Sequence, residues 1–250
     1  MVTIAAVGDL HIGAGAGPRL RTLFERAADE ADMFLLAGDL TEGGELAQAA
    51  AVCEVFGGLD LPVIAVLGNH DHHDGRQATI TEMLSRAGVT VLDGSTVTVP
   101  SDGTTVGIAG AKGFAGGFTS RSAESFGEDE MKSFARHGEQ CAQTLRAALA
   151  ELDTQWRIVL THYAPVPDTL DGEPLELFPF LGSHHLGAAI DSSAVRVALA
   201  VHGHAHYGRE RGFTPGGTPV RNVAAPVIAA PYAVYRLPAD PAGDEIVRLR

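Results

Sequence analysis

Asp9, His11, Asp39, Asn69, His162, His204 and His206 combine hard carboxylate and amide oxygens with imidazole nitrogens, and no thiolate accompanies them. That donor set suits manganese, iron or zinc and argues against a structural zinc knuckle. Seven donors are too many for one tetrahedral ion; they suit two ions sharing a carboxylate. The motifs differ in weight. Asp-x-His and Gly-Asp arise readily by chance, and a second Asp-x-His stands at Asp71 and His73. Gly68-Asn69-His70-Asp71 is expected from composition in roughly one such chain in a thousand, and the His-Gly-His-x-His run at 202–206 in roughly a few per thousand. Each residue also has an ordinary reading. Asp9, Asp39 or Asn69 alone is a turn or helix cap after a strand, and His162 alone is a hydrogen-bonded core histidine. Three histidines in five positions behind an apolar run resist that account. His72 and His73 stay with the ordinary reading, His137 reads as helix surface, and Cys53 and Cys141 read as small core residues.

Five short apolar runs precede these clusters: Val2–Val7, Met33–Ala37, Val63–Leu67, Arg157–Leu160 and Val195–Val201. Their length and Val/Ile/Leu content read as buried strands. Helical spacing marks Pro18–Glu30, Glu45–Phe56, Gln77–Arg86 and Asp129–Leu152, the last with Gly138 as a candidate break. Strand–helix alternation predicts an α/β domain, whose ligands gather beyond the carboxyl ends of the strands. Two regions depart from the alternation. Val89–Ala109 reads as short strands joined by turns. From Thr218 on the chain reads as antiparallel strands, with a turn over Pro238–Gly243 between Ala233–Leu237 and Glu245–Leu249. Gly110–Gly127 and Pro165–Gly187 read as long loops, which in compact domains are often functional. No stretch resembles a linker, so residues 1–250 are read as one domain.

The chain has 250 residues, 45% hydrophobic and 20% charged, which is enough for an ordinary core and speaks against disorder. Lys and Arg number 18 against 31 Asp and Glu, a formal net charge of -13. An acidic surface repels a polyphosphate backbone, so no nucleic-acid polymer is expected as partner. Two cysteines far apart form no disulfide framework and fit a reducing cytoplasm. No apolar stretch is long enough to span a membrane, no basic segment precedes Met1–Val7 as in a signal peptide, and no membrane partner is expected. Oligomeric state leaves no mark in the sequence.

Asp9-x-His11, Gly38-Asp39, Gly68-Asn69-His70-Asp71, His162 and Gly203-His204-x-His206 together resemble the calcineurin-like metallophosphoesterase family, in its order, from about residue 2 to 206. The resemblance implies a four-layer α/β/β/α sandwich, with two mixed sheets face to face, helices outside and the metal site at strand C-terminal ends. It implies that Asp9, His11, Asp39 and His206 hold one divalent ion and that Asp39, Asn69, His162 and His204 hold the other, Mn(II) or Fe first and Zn(II) as a third choice. His70 matches the family's catalytic histidine, and Asp71 occupies the acidic position after it, as a residue expected to orient that imidazole. The implied reaction is hydrolysis of a phosphoester by a metal-bridging hydroxide, with His70 protonating the leaving oxygen.

The Asp39-Leu40-Thr41-Glu42-Gly43-Gly44 stretch lacks the arginine found there in the family's protein phosphatases. It is more similar to the branch that includes class III cyclic-nucleotide phosphodiesterases. A small phosphodiester, with a cyclic nucleotide as one example, is therefore the expected substrate. A phosphomonoesterase, a nucleotide pyrophosphatase and a metal-binding interaction scaffold without catalysis stay open as alternatives. Lys112, His184 and His185 lie in the long loops as candidate substrate contacts. Phe178 and Phe180 are read either as base-stacking or as packed on the core. Ala205 stands where the family often has Thr or Ser.

Overall fold

The computed structural model describes residues 2–101, 103–119, 121–238 and 246–250. The chain opens with strands β1 (Thr3–Val7), β2 (Met33–Ala37), β3 (Val63–Val66) and β4 (Val89–Val91). Neighbours in this series pair in parallel. Helices α1 (Gly17–Phe24), α2 (Ala27–Glu30), α3 (Leu46–Phe56) and α4 (Gln77–Arg86) make the crossovers. The predicted Pro18–Glu30 helix is divided because near Arg26 the hydrogen bonds switch to the tighter i→i+3 spacing, as in Ala28 N–H to the Glu25 carbonyl at 3.4 Å.

The second sheet begins with the hairpin β5 (Ser95–Ser101) and β6 (Thr104–Ala111). A small ribbon follows, β7 (Gly117–Phe118) and β8 (Arg121–Ser122), and then the long helix α5 (Asp129–Glu151). Gly138 does not break α5. A Cβ there would stand 2.6 Å from the Ala115 carbonyl oxygen, so the glycine lets the helix approach that loop. Strand β9 (Trp156–Thr161) leads into Pro165–Gly187, which is not a bare loop. It contains two 3₁₀ turns, helix α6 (Phe178–Leu181) and the start of helix α7 (His184–Asp191). Strands β10 (Leu199–His202), β11 (Arg211–Phe213) and β12 (Pro219–Asn222) complete this sheet, in the order β11-β12-β10-β9-β6-β5. After helix α8 (Ala225–Ile228) the chain returns to the first sheet with β13 (Ala233–Arg236) and β14 (Val247–Arg248), giving the order β14-β13-β1-β2-β3-β4. The end of the chain pairs antiparallel, as expected, but β12 pairs in parallel with β10. The expected Pro238–Gly243 turn falls largely outside the described residues.

Side-chain alternation sets the layers. In β9, Ile158 and Leu160 join the core shared with Leu35 and Ile64 of the first sheet. Val159 between them joins a second core with Leu145 and Leu149 of α5 and Leu186 of α7. On the far side of the first sheet Phe34 meets Phe24 of α1 and Phe56 of α3, with ring centroids 5.9 and 5.6 Å away. Two mixed six-stranded sheets thus lie face to face with helices outside, the expected architecture. Among the described residues no helix is long and apolar enough to cross a membrane.

Candidate metal centre

The carboxyl ends of both sheets meet at one edge. The first sheet supplies Asp9 and His11 after β1, Asp39 after β2 and Asn69 after β3; the second supplies His162 after β9 and His204 and His206 after β10. Backbone bonds tie the strand ends together: Asp9 N–H to the Gly38 carbonyl (2.9 Å), His11 N–H to that of Asp39 (3.0 Å) and Gly203 N–H to that of His162 (3.1 Å). Of the five described non-glycine residues with positive φ, four are Asp9 (58°), His11 (44°), Asp39 (50°) and His204 (72°). Left-handed backbone is costly for such residues and persists where the surroundings impose it.

Their ligand atoms converge. Asp9 with His11 and His206, His11 with Asp39 and His70, and Asp39 with His162 and His204 each form a group whose donors lie within 4.8 Å of one another. The first and third groups hold six of the seven residues read from the sequence. The seventh, Asn69, accepts from His162 Nε2 through Oδ1 at 2.9 Å. Orientation is imposed by the backbone. His162 Nδ1 donates to the Ala37 carbonyl (2.8 Å), which turns Nε2 toward Asp39 Oδ1 at 3.4 Å. His204 Nε2 donates to the Phe180 carbonyl (3.3 Å), leaving Nδ1 as the atom available to the cluster. His206 Nε2 meets Asp9 Oδ1 at 3.0 Å. Gly68 has to lack a side chain, because a Cβ there would collide with the Asp39 carboxylate.

The electrostatics are those of a crowded donor set. Burial alone would raise the Asp39 pKa, but the His162 charge beside it holds the carboxyl well below the usual range. Burial opposes charge on His162, yet Asp39 lifts its pKa to about 9. Burial, helped by His162, pushes His204 down to about 3. His11 is lowered mainly by burial, and its Nε2 is buried without a hydrogen-bond partner among the described residues. A buried orphan nitrogen is costly unless something accepts its lone pair. The orphan, the bent backbone and the mixed oxygen and imidazole donors together fit a pair of divalent ions.

His70 stands at the open side, with its side chain 45% exposed. Its N–H bonds Asp39 Oδ1 (2.8 Å), and its ring Nδ1 donates to the Glu42 carbonyl (2.7 Å), which aims Nε2 at Asp39 Oδ2, 4.0 Å away. Asp71 does not orient this imidazole, contrary to expectation. Its buried carboxylate accepts from Leu40 N–H, Thr41 N–H, the Thr41 hydroxyl and Gly68 N–H at 2.6–3.2 Å, so it clamps the two loops that carry Asp39 and Asn69.

The loop candidates are engaged by their own neighbours. Lys112 places its ammonium 5.1 and 5.0 Å from the ring centres of Phe114 and Tyr163 and bonds the Gly113 carbonyl. Its own carbonyl accepts His162 N–H and Tyr163 N–H. His184 and His185 open helix α7 with ring centroids 4.0 Å apart, and His184 Nδ1 donates to the Gly117 carbonyl. Phe180 is exposed and Phe178 half-buried. Sequence reasoning missed the carbonyls of Ala37, Glu42 and Phe180, because a backbone atom leaves no trace in residue type. It also left His202 without a role. That ring is fully buried, bonded to the Gly203 carbonyl and to Thr169 Oγ1 at 2.7 and 2.8 Å. Ala205 packs with Phe118, Leu170 and Leu181, so a bulkier residue would press on that cluster.

Residues 2–208 match the family model of calcineurin-like phosphoesterases. A search of curated proteins finds no match. Several solved structures share the fold. The phosphopantetheinyl hydrolase of Mycobacterium tuberculosis is 17% identical, with a TM-score of 0.66 over 95% of each chain. The protein TT1561 of Thermus thermophilus is 16% identical, with a TM-score of 0.58 over 99% of this chain and 97% of its own. The sulfate thiohydrolase SoxB of Thermus thermophilus is 14% identical, with a TM-score of 0.56 over 99% of this chain and 56% of its own.

Proposed function

The chain belongs to the calcineurin-like phosphoesterase family, and from that premise we propose that it is a metal-dependent phosphodiesterase acting on a small phosphodiester. The family and the donor groups support metal-dependent phosphoester hydrolysis. The observation that carries the diester reading is the placement of Lys112, the one lysine read from the sequence as a substrate contact. The candidate ligands are carboxylates, an amide and imidazoles, and the Lys112 ammonium is turned onto the rings of Phe114 and Tyr163. A monoanionic diester asks less compensation of such a site than a dianionic monoester.

Asp9, His11, Asp39 and His206 would hold one ion, and Asp39, Asn69, His162 and His204 the other, with Asp39 common to both. Bound there, two divalent ions polarise a phosphoryl group and lower the pKa of water. The protein's own part is positional. The strand-end hydrogen bonds fix the carboxylates, the Ala37 and Phe180 carbonyls fix which ring nitrogen of His162 and His204 faces inward, and the Glu42 carbonyl fixes His70. His70 Nε2, on the open side, is the atom that would hold a proton for the leaving oxygen.

The test is hydrolysis of bis-p-nitrophenyl phosphate against p-nitrophenyl phosphate, by metal-free protein and after adding back Mn(II). We expect metal-dependent turnover that is faster on the diester and lost in Asp39→Asn. His70→Ala should lose about tenfold or more in rate while still binding metal. Faster monoester cleavage would replace the reading with a phosphomonoesterase, and no turnover with both metals bound would favour the scaffold.

A further inference from the structure

Resting on the phosphoesterase reading, we propose that the cavity beside the metal-ligand cluster binds the alcohol portion of the substrate, and that this alcohol is a linear, largely apolar chain. The cavity measures about 600 Å³ and is faced by Phe118, Val166, Leu175, Phe178, Phe213 and Pro215. That volume is in the usual range for a small-molecule site.

One strip of chain separates the cavity from the cluster. Pro165, Val166 and Pro167 line the cavity directly after His162 and Tyr163. Phe178 and Pro179 line it directly before Phe180, whose carbonyl accepts from His204 Nε2 at 3.3 Å. Ala164 N–H bonds the Leu181 carbonyl at 3.0 Å, so the two segments form a single wall. The wall brings the cavity within one residue of the Phe180 carbonyl that meets His204 and within three residues of His162. The surface there is apolar: Leu175, Phe180 and Phe213 are 60%, 57% and 51% exposed. Exposed apolar side chains grouped at a site mark a surface that meets something apolar.

Part of the polar lining is held by the fold. His184 Nδ1 is spent on the Gly117 carbonyl and Asp168 Oδ2 accepts Phe213 N–H. Thr214 donates its hydroxyl to Asp191. Most of the lining is apolar, which suits a chain better than a base or a ribose, whose recognition needs convergent donors and acceptors. Arg121, exposed on the lining, can meet a polar terminus on an otherwise apolar chain.

The test uses p-nitrophenyl phosphodiesters whose second alcohol is methyl, butyl or octyl, with the Mn(II)-loaded protein. We expect kcat/KM to rise at least about tenfold from methyl to octyl, as burial of a chain predicts. Leu175→Glu and Phe213→Ser, at exposed positions where folding is little affected, should each cut that ratio below about threefold. Because the ratio is read, a general loss of activity does not imitate the effect. No preference in wild type, a preference that survives both substitutions, or a nucleoside diester preferred over octyl would overturn the proposal. Titration of octyl phosphate against methyl phosphate reads the cavity without turnover. Should no diester be cleaved, the phosphodiesterase reading falls, and the titration alone decides the cavity: tighter octyl binding lost in the variants supports it, and equal binding overturns it.

Discussion

Asp39 carries three burdens at once. Its carboxylate is 2% exposed, it faces His162, His11 and His70, and its backbone sits at φ 50°. The left-handed backbone gives a way to separate strain from ligand loss. An alanine Cβ suffers there, whereas glycine does not. We expect Asp39→Gly to be more stable than Asp39→Ala by about 1 kcal/mol in metal-free protein, the reverse of the usual order in regular structure. Urea unfolding of the two variants checks this, and equal midpoints would remove the claim of strain. Asp71 is the second residue whose role is positional. Its four donors leave no place for an amide N–H, so Asp71→Asn should lose about 1–3 kcal/mol of stability. Its metal affinity should fall with it, because the loops of Asp39 and Asn69 lose their common clamp. The motif Gly68-Asn69-His70-Asp71 announced that these residues matter. It did not reveal that the aspartate acts on the loops, because residue type does not say which way a side chain turns.

Helices and strands set by a regular apolar period were legible in the sequence. α4 has the predicted bounds Gln77–Arg86, and β2 the predicted Met33–Ala37. Elements set by tertiary contact were not: α6 and α7 arise in a Gly- and Pro-rich stretch whose period shows nothing, with Ser183 capping α7 through His185 N–H. Strand β10 likewise ends in a residue read as one histidine of a motif but used for support. Burial holds His202 down at about 4, so the folded protein keeps it neutral where the unfolded chain takes up a proton. Its folded pKa lies below the unfolded one, so stability is unaffected above the usual imidazole pKa and falls as pH drops toward 4. Between pH 7 and 4.5 the wild type should lose about 2–3 kcal/mol more than His202→Gln. Denaturant melts at the two pH values give this double difference. Equal losses would place His202 outside the acid response.

At the scale of the molecule, the candidate ligands divide between the sheets: Asp9, His11, Asp39 and Asn69 on one, His162, His204 and His206 on the other. The sequence showed the strand ends and their polar clusters. It also led to the expectation that they gather at one edge, but the spacing of the runs did not show which strands pair there, since the pairing of β6 with β9 and of β12 with β10 depends on long-range register. Divalent ions bound at this seam would join the sheets, and the unfolded chain has no such site. Metal should therefore stabilise the whole fold by mass action, about 2.7 kcal/mol at a hundred times Kd. For a chain of this size that corresponds to a rise of about 5–10 °C in Tm. The thermal midpoint should climb with Mn(II), return with a chelator, and respond much less in Asp39→Asn, which weakens both ions at once. A shift of similar size in Asp39→Asn would mean that the metal binds elsewhere. The absence of any shift in wild type, with binding shown by titration, would mean that the ions do not join the sheets. Both results would count against the assignment of ligands whether or not a substrate is ever turned over, because stability reads the seam directly.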